Sequence, residues 1–459
     1  MLITAIMALI GLLLVVNILI VRPHWWIGLI VLATAATLPV QIPTAIPLGG
    51  FGVNISEIAL VAGALYVLGK YPGNRLSDSC AVAVFAVTAL FALIGLTNSF
   101  PINHVAIDSR GLLTLAIALF IAGRISQTPL ATTAVKSVRV TLWLSLFFIA
   151  LGAVGLARVE GRSTDASLSG AGAAPTDVTR ILSPTTHLAA TVVGICLGLA
   201  VTKPGTFRST LSYLIPALGI TFFAYSRNAL AIVAIAVFLT PLLERQVRAW
   251  LRVVFAGAGL AIAYYVSGWI LPQLSDLPGL GYLNKMYSAY AHRVIGGLST
   301  EAQQVDSSVL YRQLEIGNMK TSISGNELFG HGLGYSYQAQ RDRNTPTSAF
   351  YGHQFYFWAV VKTGFVGILV YLAALAAPII RAIRRPGNAF CSACVAAAVG
   401  LLYISTVAPI PVSTNGGPLL GVLLGIAATR WNRREDAGLE ISAQANETAG
   451  TRDVVASTR

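Results

Sequence analysis

The sequence predicts an all-α fold, a polytopic membrane helical bundle of about 12–13 transmembrane helices with one large extracytoplasmic loop. Three observations carry this expectation. Of 459 residues, 55% are hydrophobic and only 11% charged, whereas a soluble domain has about a quarter charged residues on average. Apolar stretches recur along the chain at a length suited to a hydrocarbon core of ~30 Å, which ~20 residues of helix cross. Lysines and arginines cluster in alternate short connections. Mean hydropathy is +0.71, so the apolar residues outnumber what a single core can hide. The period-two alternation of barrel strands is absent.

Thirteen spans are expected, near residues 2–21, 25–42, 55–69, 80–97, 106–123, 140–157, 185–202, 209–225, 227–243, 253–271, 354–377, 389–409 and 417–430. The first has no basic residue ahead of it and no small-residue cleavage signature, so it reads as a retained helix rather than a signal peptide. Basic residues between the spans set the orientation. Arg22, then Lys70 and Arg75, then Arg124, Lys136 and Arg139, then Lys203 and Arg208 all fall on one side. Arg245, Arg248 and Arg252, then Arg381, Arg384 and Arg385, then Arg430, Arg433 and Arg434 join them. The positive-inside rule makes that side cytoplasmic, which puts the N-terminus outside and the C-terminus inside. The formal net charge of +13 is then a signature of topology, and no nucleic-acid partner is implied. Lys362 reads as the lone charge inside a span.

Two outer connections are long. Residues 158–184 include GRSTDASLSGAGAAPTD and read as a flexible loop. Residues 272–352 form the only segment large enough to fold outside the bilayer, and a loop of that length is usually functional. Within it, 307–324 reads as an amphipathic helix, with Leu310 and Leu314 on one face and Ile316, Met319 and Ile323 on another. Asp306 or Ser307 can cap its start and Gly325 can end it. The chain thus divides into N-terminal transmembrane helices (1–271), the extracytoplasmic loop (272–352), C-terminal transmembrane helices (353–434) and a polar tail (435–459) expected to be disordered and cytoplasmic.

None of Cys80, Cys196, Cys391 and Cys394 falls in an outer loop, so no disulfide framework is expected. Cys391 and Cys394 form a CxxC without a second ligand pair and read as two small helix residues. His331, His353 and Asp342 match no metal-ligand spacing. Gly330, Gly332 and Gly334, in GHGLG, lack the flanking strand of a dinucleotide fingerprint and read as a tight backbone path. No metal and no cofactor is expected.

The outer arginines are the informative feature. Arg110, Arg180 and Arg227 each sit at the outer mouth of a span, and Arg312 lies on the amphipathic helix. A single arginine at a membrane boundary usually snorkels. Several on the face that topology disfavours point to an anion, and guanidinium offers a planar fork suited to phosphate oxygens. A lipid-linked pyrophosphate is the natural anion at that depth. His353 enters a helix directly after the large loop, in YGHQFYFW.

Four segments, TRILSPTTHLA, YSRNALAIVAIAVFL, YRQLEIGNMKTSISGNELFGHGLG and GHQFYFWAVVKTGFVGILVYL, together resemble the bacterial O-antigen ligase and O-antigen polymerase family. The resemblance covers roughly residues 175–375. Asn228 stands where that family usually has Gly, Gln354 where it has Asn, and Lys362 where it often has Glu. The resemblance implies a multi-pass protein of the inner (plasma) membrane whose active site faces outward. It implies glycosyl transfer from a polyprenyl-pyrophosphate-linked oligosaccharide to a hydroxyl of a glycan, lipid or protein acceptor, by a surface polysaccharide polymerase or ligase. It carries over Arg227, Arg312 and His353 as catalytic positions, and Arg180 and Arg110, from their place at span mouths, are expected as further substrate-binding residues. Arginines can hold the pyrophosphate and offset its growing charge, and a histidine can take the acceptor proton. In-line attack would invert the anomeric centre, with arginine charge in place of a metal.

Three rivals remain. A glycosyltransferase using lipid-phosphate sugars would carry acids in its first outer loop, but QIPTAIPLGGFGVN leads only to Glu57. A peptidoglycan-type polymerase would use a loop carboxylate, for which Asp276, Glu301, Asp306 and Glu315 are candidates. A flippase or transporter of lipid-linked glycans would show ionisable residues at mid-bilayer and repeat symmetry; no repeat is visible. All depend on sidedness. Single cysteines placed in 272–352 will react with a membrane-impermeant maleimide in intact cells, and protection of the whole loop would invert the assignment.

Overall fold

The computed structural model describes residues 21–48, 51–163, 179–274, 280–291, 307–337, 352–384 and 388–429. The expected span 2–21 up to residue 20, most of the Gly- and Ser-rich stretch, the tail from 435, and Asp276, His292, Glu301, Asp306 and Asp342 lie outside these residues.

The described residues form fourteen α-helices. The first seven are α1 (Pro23–Ala35), α2 (Ile55–Lys70), α3 (Arg75–Thr97), α4 (Ile102–Ile125), α5 (Pro129–Ala153), α6 (Thr186–Thr202) and α7 (Phe207–Ala224). They are followed by α8 (Arg227–Leu243), α9 (Val247–Gln273), α10 (Leu280–Tyr290), α11 (Ser307–Ile323), α12 (Phe355–Arg384), α13 (Ala389–Ile404) and α14 (Gly416–Ala428). Six are long and apolar enough to cross a membrane by length and composition: α3, α4, α5, α9, α12 and α7 with its leading 3-10 turn. Among the shorter ones, α1, α6, α8, α13 and α14 are also apolar.

Most boundaries follow local chemistry that the sequence displays. Asn74 opens α3 by accepting from the backbone of Leu76 at 3.1 Å. Asn388 does the same for α13 from Phe390 at 2.9 Å. α5 starts at Pro129 behind its cap Thr128, upstream of the expected residue 140, since Pro at the first helical position forgoes only an N–H that has no partner anyway. α1 ends at Ala35, short of the expected residue 42, because Pro39 disfavours helix just ahead of it. The fold is not wholly α. Ala45–Leu48 (β1) pairs antiparallel with Phe51–Asn54 (β2). Arg162–Ser163 (β3) pairs with Arg180–Ile181 (β4). Both ladders lie in connections read as irregular, where four- and two-residue strands leave too short a pattern to see.

Close helix approach builds the centre. α14 lies against α4, where a Cβ added to Gly421 would stand 2.3 Å from the Leu115 carbonyl. No larger residue permits that backbone approach, a packing mode typical of membrane helix pairs. α8 and α13 run antiparallel: Gly400 meets Ile232, and further along Ser392 donates to Glu244.

The most unusual element is the irregular segment 325–337 that follows α11. Its first part, 325–329, is exposed, and it becomes enclosed from Gly332 to Gly334, where every buried N–H and C=O needs a partner. α12 supplies them by breaking. Gly364 has φ 61° and ψ −173° inside the helix. Phe365 N and Val366 N, released by the break, donate to the carbonyls of Glu327 at 2.8 Å and Leu328 at 3.1 Å. His331 N and Gly332 N donate in turn to the carbonyls of Val361 and Lys362. On the other flank Leu333 N donates to Phe91 of α3 at 2.9 Å. Below the segment, Lys362 Nζ meets Asp108 Oδ2 at 2.7 Å, both side chains almost fully enclosed. Lys362 is therefore not alone among the helices: Asp108, inside α4, is its partner. At Gly364 a Cβ would stand 2.2 Å from the Leu328 carbonyl in a left-handed backbone. Gly364→Ala will destabilise the protein by at least about 1–3 kcal/mol through the backbone strain alone, read as a lower thermal midpoint in detergent.

Candidate active site

His353 lies two residues before α12. The first residue of that helix is anchored by donation from Phe355 N to the Ser405 carbonyl at 3.0 Å. The imidazole is 37% exposed, whereas the Glu315 side chain beside it is 0% exposed. Glu315 projects from α11 and gathers three donors. His353 N reaches Oε2 at 3.0 Å, His353 Nδ1 stands 3.2 Å from Oε1, and Tyr337 OH donates to Oε1 at 3.1 Å. A carboxylate only accepts, so Nδ1 carries the hydrogen of this contact, and in the neutral imidazole the lone pair falls to Nε2. The Tyr311 ring, also on α11, meets the imidazole edge-on at 5.7 Å. Burial raises the Tyr337 phenol above its ordinary range, and the Glu315 charge raises it further. Tyr337 stays a neutral donor.

Arg312 precedes Glu315 by three residues on α11, a spacing that stacks two side chains on one face. It is half-buried. Arg227 is the first residue of α8, behind the N-cap Ser226. The antiparallel register of α8 and α13, with Ile232 level with Gly400, brings Arg227 to the level of Ser405, where His353 enters α12. Arg180 reaches the same end of the bundle. Its Nε donates to the Ala224 carbonyl, the last of α7, at 3.0 Å, where a cation complements the helix dipole. Arg180 and Arg227 thus flank the turn Ala224–Arg227, whose Tyr225 adopts φ 43°. α10 covers that turn by packing Met286 and Ala289 on Tyr225.

Arg110 is placed differently. Its Nε pairs with Glu57 Oε1 at 2.8 Å, and Nη2 donates to Glu57 Oε2 at 3.2 Å and to the Gly52 carbonyl. The fork is directed into the β1–β2 hairpin and the start of α2, where Glu57 also accepts from Asn54 N at 2.9 Å. Arg180 and Arg227 therefore share one turn, Arg312 shares a helix with Glu315, and Arg110 fastens a hairpin.

His331 turns away from His353: Nε2 lies 2.8 Å from the Ser322 carbonyl, and its ring stacks on Tyr335 at 3.8 Å. Among the described residues, no three His, Cys, Asp or Glu side chains converge on a metal position. Cys391 and Cys394 are free thiols in the first turns of α13.

Sequence reasoning weighed Glu315 only as a rival nucleophile or base and passed over Tyr337. The spacing of Arg312 and Glu315 was a visible signal. Tyr337 gave none, because its contact depends on how 325–337 folds back. No protein-family model matches the chain, and no curated protein matches it. Glu315→Gln keeps the volume but replaces one acceptor oxygen by a donor facing other donors. It will lower stability by about 1–3 kcal/mol, measured as the shift in thermal midpoint against wild type.

Proposed function

We propose that this chain is a multi-pass protein of the plasma membrane that transfers a saccharide from a polyprenyl-pyrophosphate carrier to an acceptor hydroxyl on the extracytoplasmic face. The membrane part rests on the apolar helices and on what they leave outside. α9 exposes Phe255, Leu260, Tyr265 and Trp269, and Ala249 is its one buried residue. A surface so apolar over a whole helix suits lipid as the solvent. The sidedness rests on charge. The end opposite the candidate site holds the Arg124–Asp78 ion pair at 2.8 Å and the Arg252 contact to the Val201 carbonyl at 2.7 Å, both at helix ends that the positive-inside rule makes cytoplasmic.

One observation carries the catalytic reading: a partly exposed histidine held in a fixed tautomer by a buried carboxylate, one helical turn from an arginine. In this reading the acceptor hydroxyl attacks the anomeric carbon from the side opposite the pyrophosphate. The bond from that carbon to the pyrophosphate oxygen breaks, and the polyprenyl pyrophosphate leaves with the electron pair. His353 Nε2 takes the hydroxyl proton. Glu315 compensates the imidazolium that forms and leaves the ring orientation unchanged. Arg312 and Arg227 stabilise the charge growing on the leaving group, with Arg180 beside them at the same turn. Arg110, fastened to Glu57, supports the scaffold instead. The product is inverted at the anomeric centre, and the acceptor can be a glycan, a lipid or a protein.

Of the carboxylates the peptidoglycan-type reading could use, Glu315 is fully enclosed and engaged by three donors, which disfavours it as a direct catalyst, while Asp276, Glu301 and Asp306 lie outside the described residues. A translocating role would need ionisable groups that change partners. Asp108 and Lys362 are instead closed in by each other and by backbone groups.

Transfer by purified protein in nanodiscs, from a polyprenyl-pyrophosphate saccharide, tests the proposal. His353→Gln keeps hydrogen bonding but is no base and will lower kcat by about 10²–10⁴-fold. Arg312→Lys and Arg227→Lys keep charge, lose the fork, and will each slow transfer, with the alanine variants slower still. A His353→Gln protein that transfers at the wild-type rate removes the base assignment. Carrier translocation without transfer would favour the flippase.

A further inference from the structure

The buried ion pair between α4 and α12 has no part in that chemistry, yet each of its charges grips the segment that carries Tyr337. Asp108 Oδ2 accepts from Lys362 Nζ at 2.7 Å and from Gly334 N at 2.6 Å. Lys362 Nζ also donates to the Tyr335 carbonyl and lies 5.8 Å from the Trp358 ring centre. The N–H of Gly334 and the C=O of the next residue, Tyr335, are thus held by opposite charges from two different helices. Two residues on, Tyr337 OH reaches Glu315, and Glu315 holds both the backbone and the ring of His353. Removing two charges from water is costly, and such a pair is weak as a source of stability. A pair of well-packed apolar residues would serve cohesion as well. What apolar residues cannot do is fix one N–H and one C=O of an irregular strap in position.

We propose that Asp108 and Lys362 are positioning residues for His353, acting through the clamped strap 334–337, Tyr337 and Glu315. The proposal rests on the reading of His353 as the base for its kinetic consequence, but its structural consequence does not depend on that reading. Asp108 and Lys362 touch no substrate. They set where Tyr337 stands, Tyr337 sets where the Glu315 carboxylate stands, and the carboxylate fixes the imidazole tautomer.

The test removes both charges together. Asp108→Asn with Lys362→Met keeps side-chain volume and strands no buried charge. In nanodiscs, kcat for transfer will fall roughly 10- to 100-fold while the donor KM is unchanged, because the arginines are intact. Nitrogen-15 NMR of histidine-labelled protein, with the His353 signals assigned by their loss in His353→Gln, will show one Nδ1–H tautomer in wild type and a mixture in the variant. Tyr337→Phe will give the same signature. Combined with the neutral pair, it will cost less than the product of the two separate losses, since both act on one path. Where the neutral pair does not fold, Asp108→Glu keeps the charge and shifts the carboxylate by one methylene, and will show the tautomer mixture in lesser degree. A folded variant that keeps the single tautomer and the full kcat overturns the proposal. Wild-type transfer by His353→Gln would overturn the base assignment instead, and the tautomer ratio would still decide whether the ion pair positions the ring.

Discussion

The arrangement depends on one exchange of backbone hydrogen bonds. Segment 325–337 is irregular chain that passes from an exposed start into the helices at Gly332–Gly334, which is tolerable only if the polar groups it buries find partners there. The break at Gly364 in α12 makes that possible by releasing two N–H groups toward Glu327 and Leu328 and by turning the Val361 and Lys362 carbonyls toward His331 and Gly332. A continuous α12 would consume these groups internally, and the segment would have no place to lie. The positive φ of Gly330, Gly332 and Gly334 belongs to the same device. Each glycine follows a backbone path that a side chain would strain, in contact with α12, α3 or α4.

From this constraint the candidate site follows. The strap returns the chain from the end of α11 across the bundle, so that Tyr337 comes back beside Glu315 of the helix that preceded it. His353 arrives from the far side of the large loop and is received by the same carboxylate. One buried acceptor therefore joins three separate stretches: the amphipathic helix, the strap and the entry to α12. Hydrogen bonds to a charged group contribute about 1.5–3 kcal/mol each, enough to order an imidazole that is otherwise partly open. The opposite end of the bundle carries the Arg124–Asp78 pair and no comparable convergence among the described residues. The Arg124–Asp78 pair and the His353–Glu315 contact thus lie at opposite ends.

Much of this was legible in advance. The limits of α8 and α11 agree with the expected 227–243 and 307–324 to within a residue, because each is bounded by a Ser cap or a Gly stop that acts within one turn. The arginines beside the helix ends were visible in the sequence as charges flanking apolar stretches. Arg110 shows where that reasoning ends. By position it resembles Arg180 and Arg227, and only the β1–β2 hairpin, which brings Glu57 and Gly52 to it, separates them. Lys362 was seen as an ionisable group in a span, but its partner Asp108 is 254 residues away, and nothing local connects them.

The sequence by itself determined most of the apolar helices and their limits, since hydropathy and caps each act over a few residues. The tertiary structure alone decided which carboxylate holds His353, which tyrosine supports it, which arginine is committed to the scaffold, and that α12 must break. Those outcomes depend on contacts between segments far apart in the chain. A buried polar group can be satisfied by any suitably placed partner, so its residue type does not name the partner; only the packed backbone does.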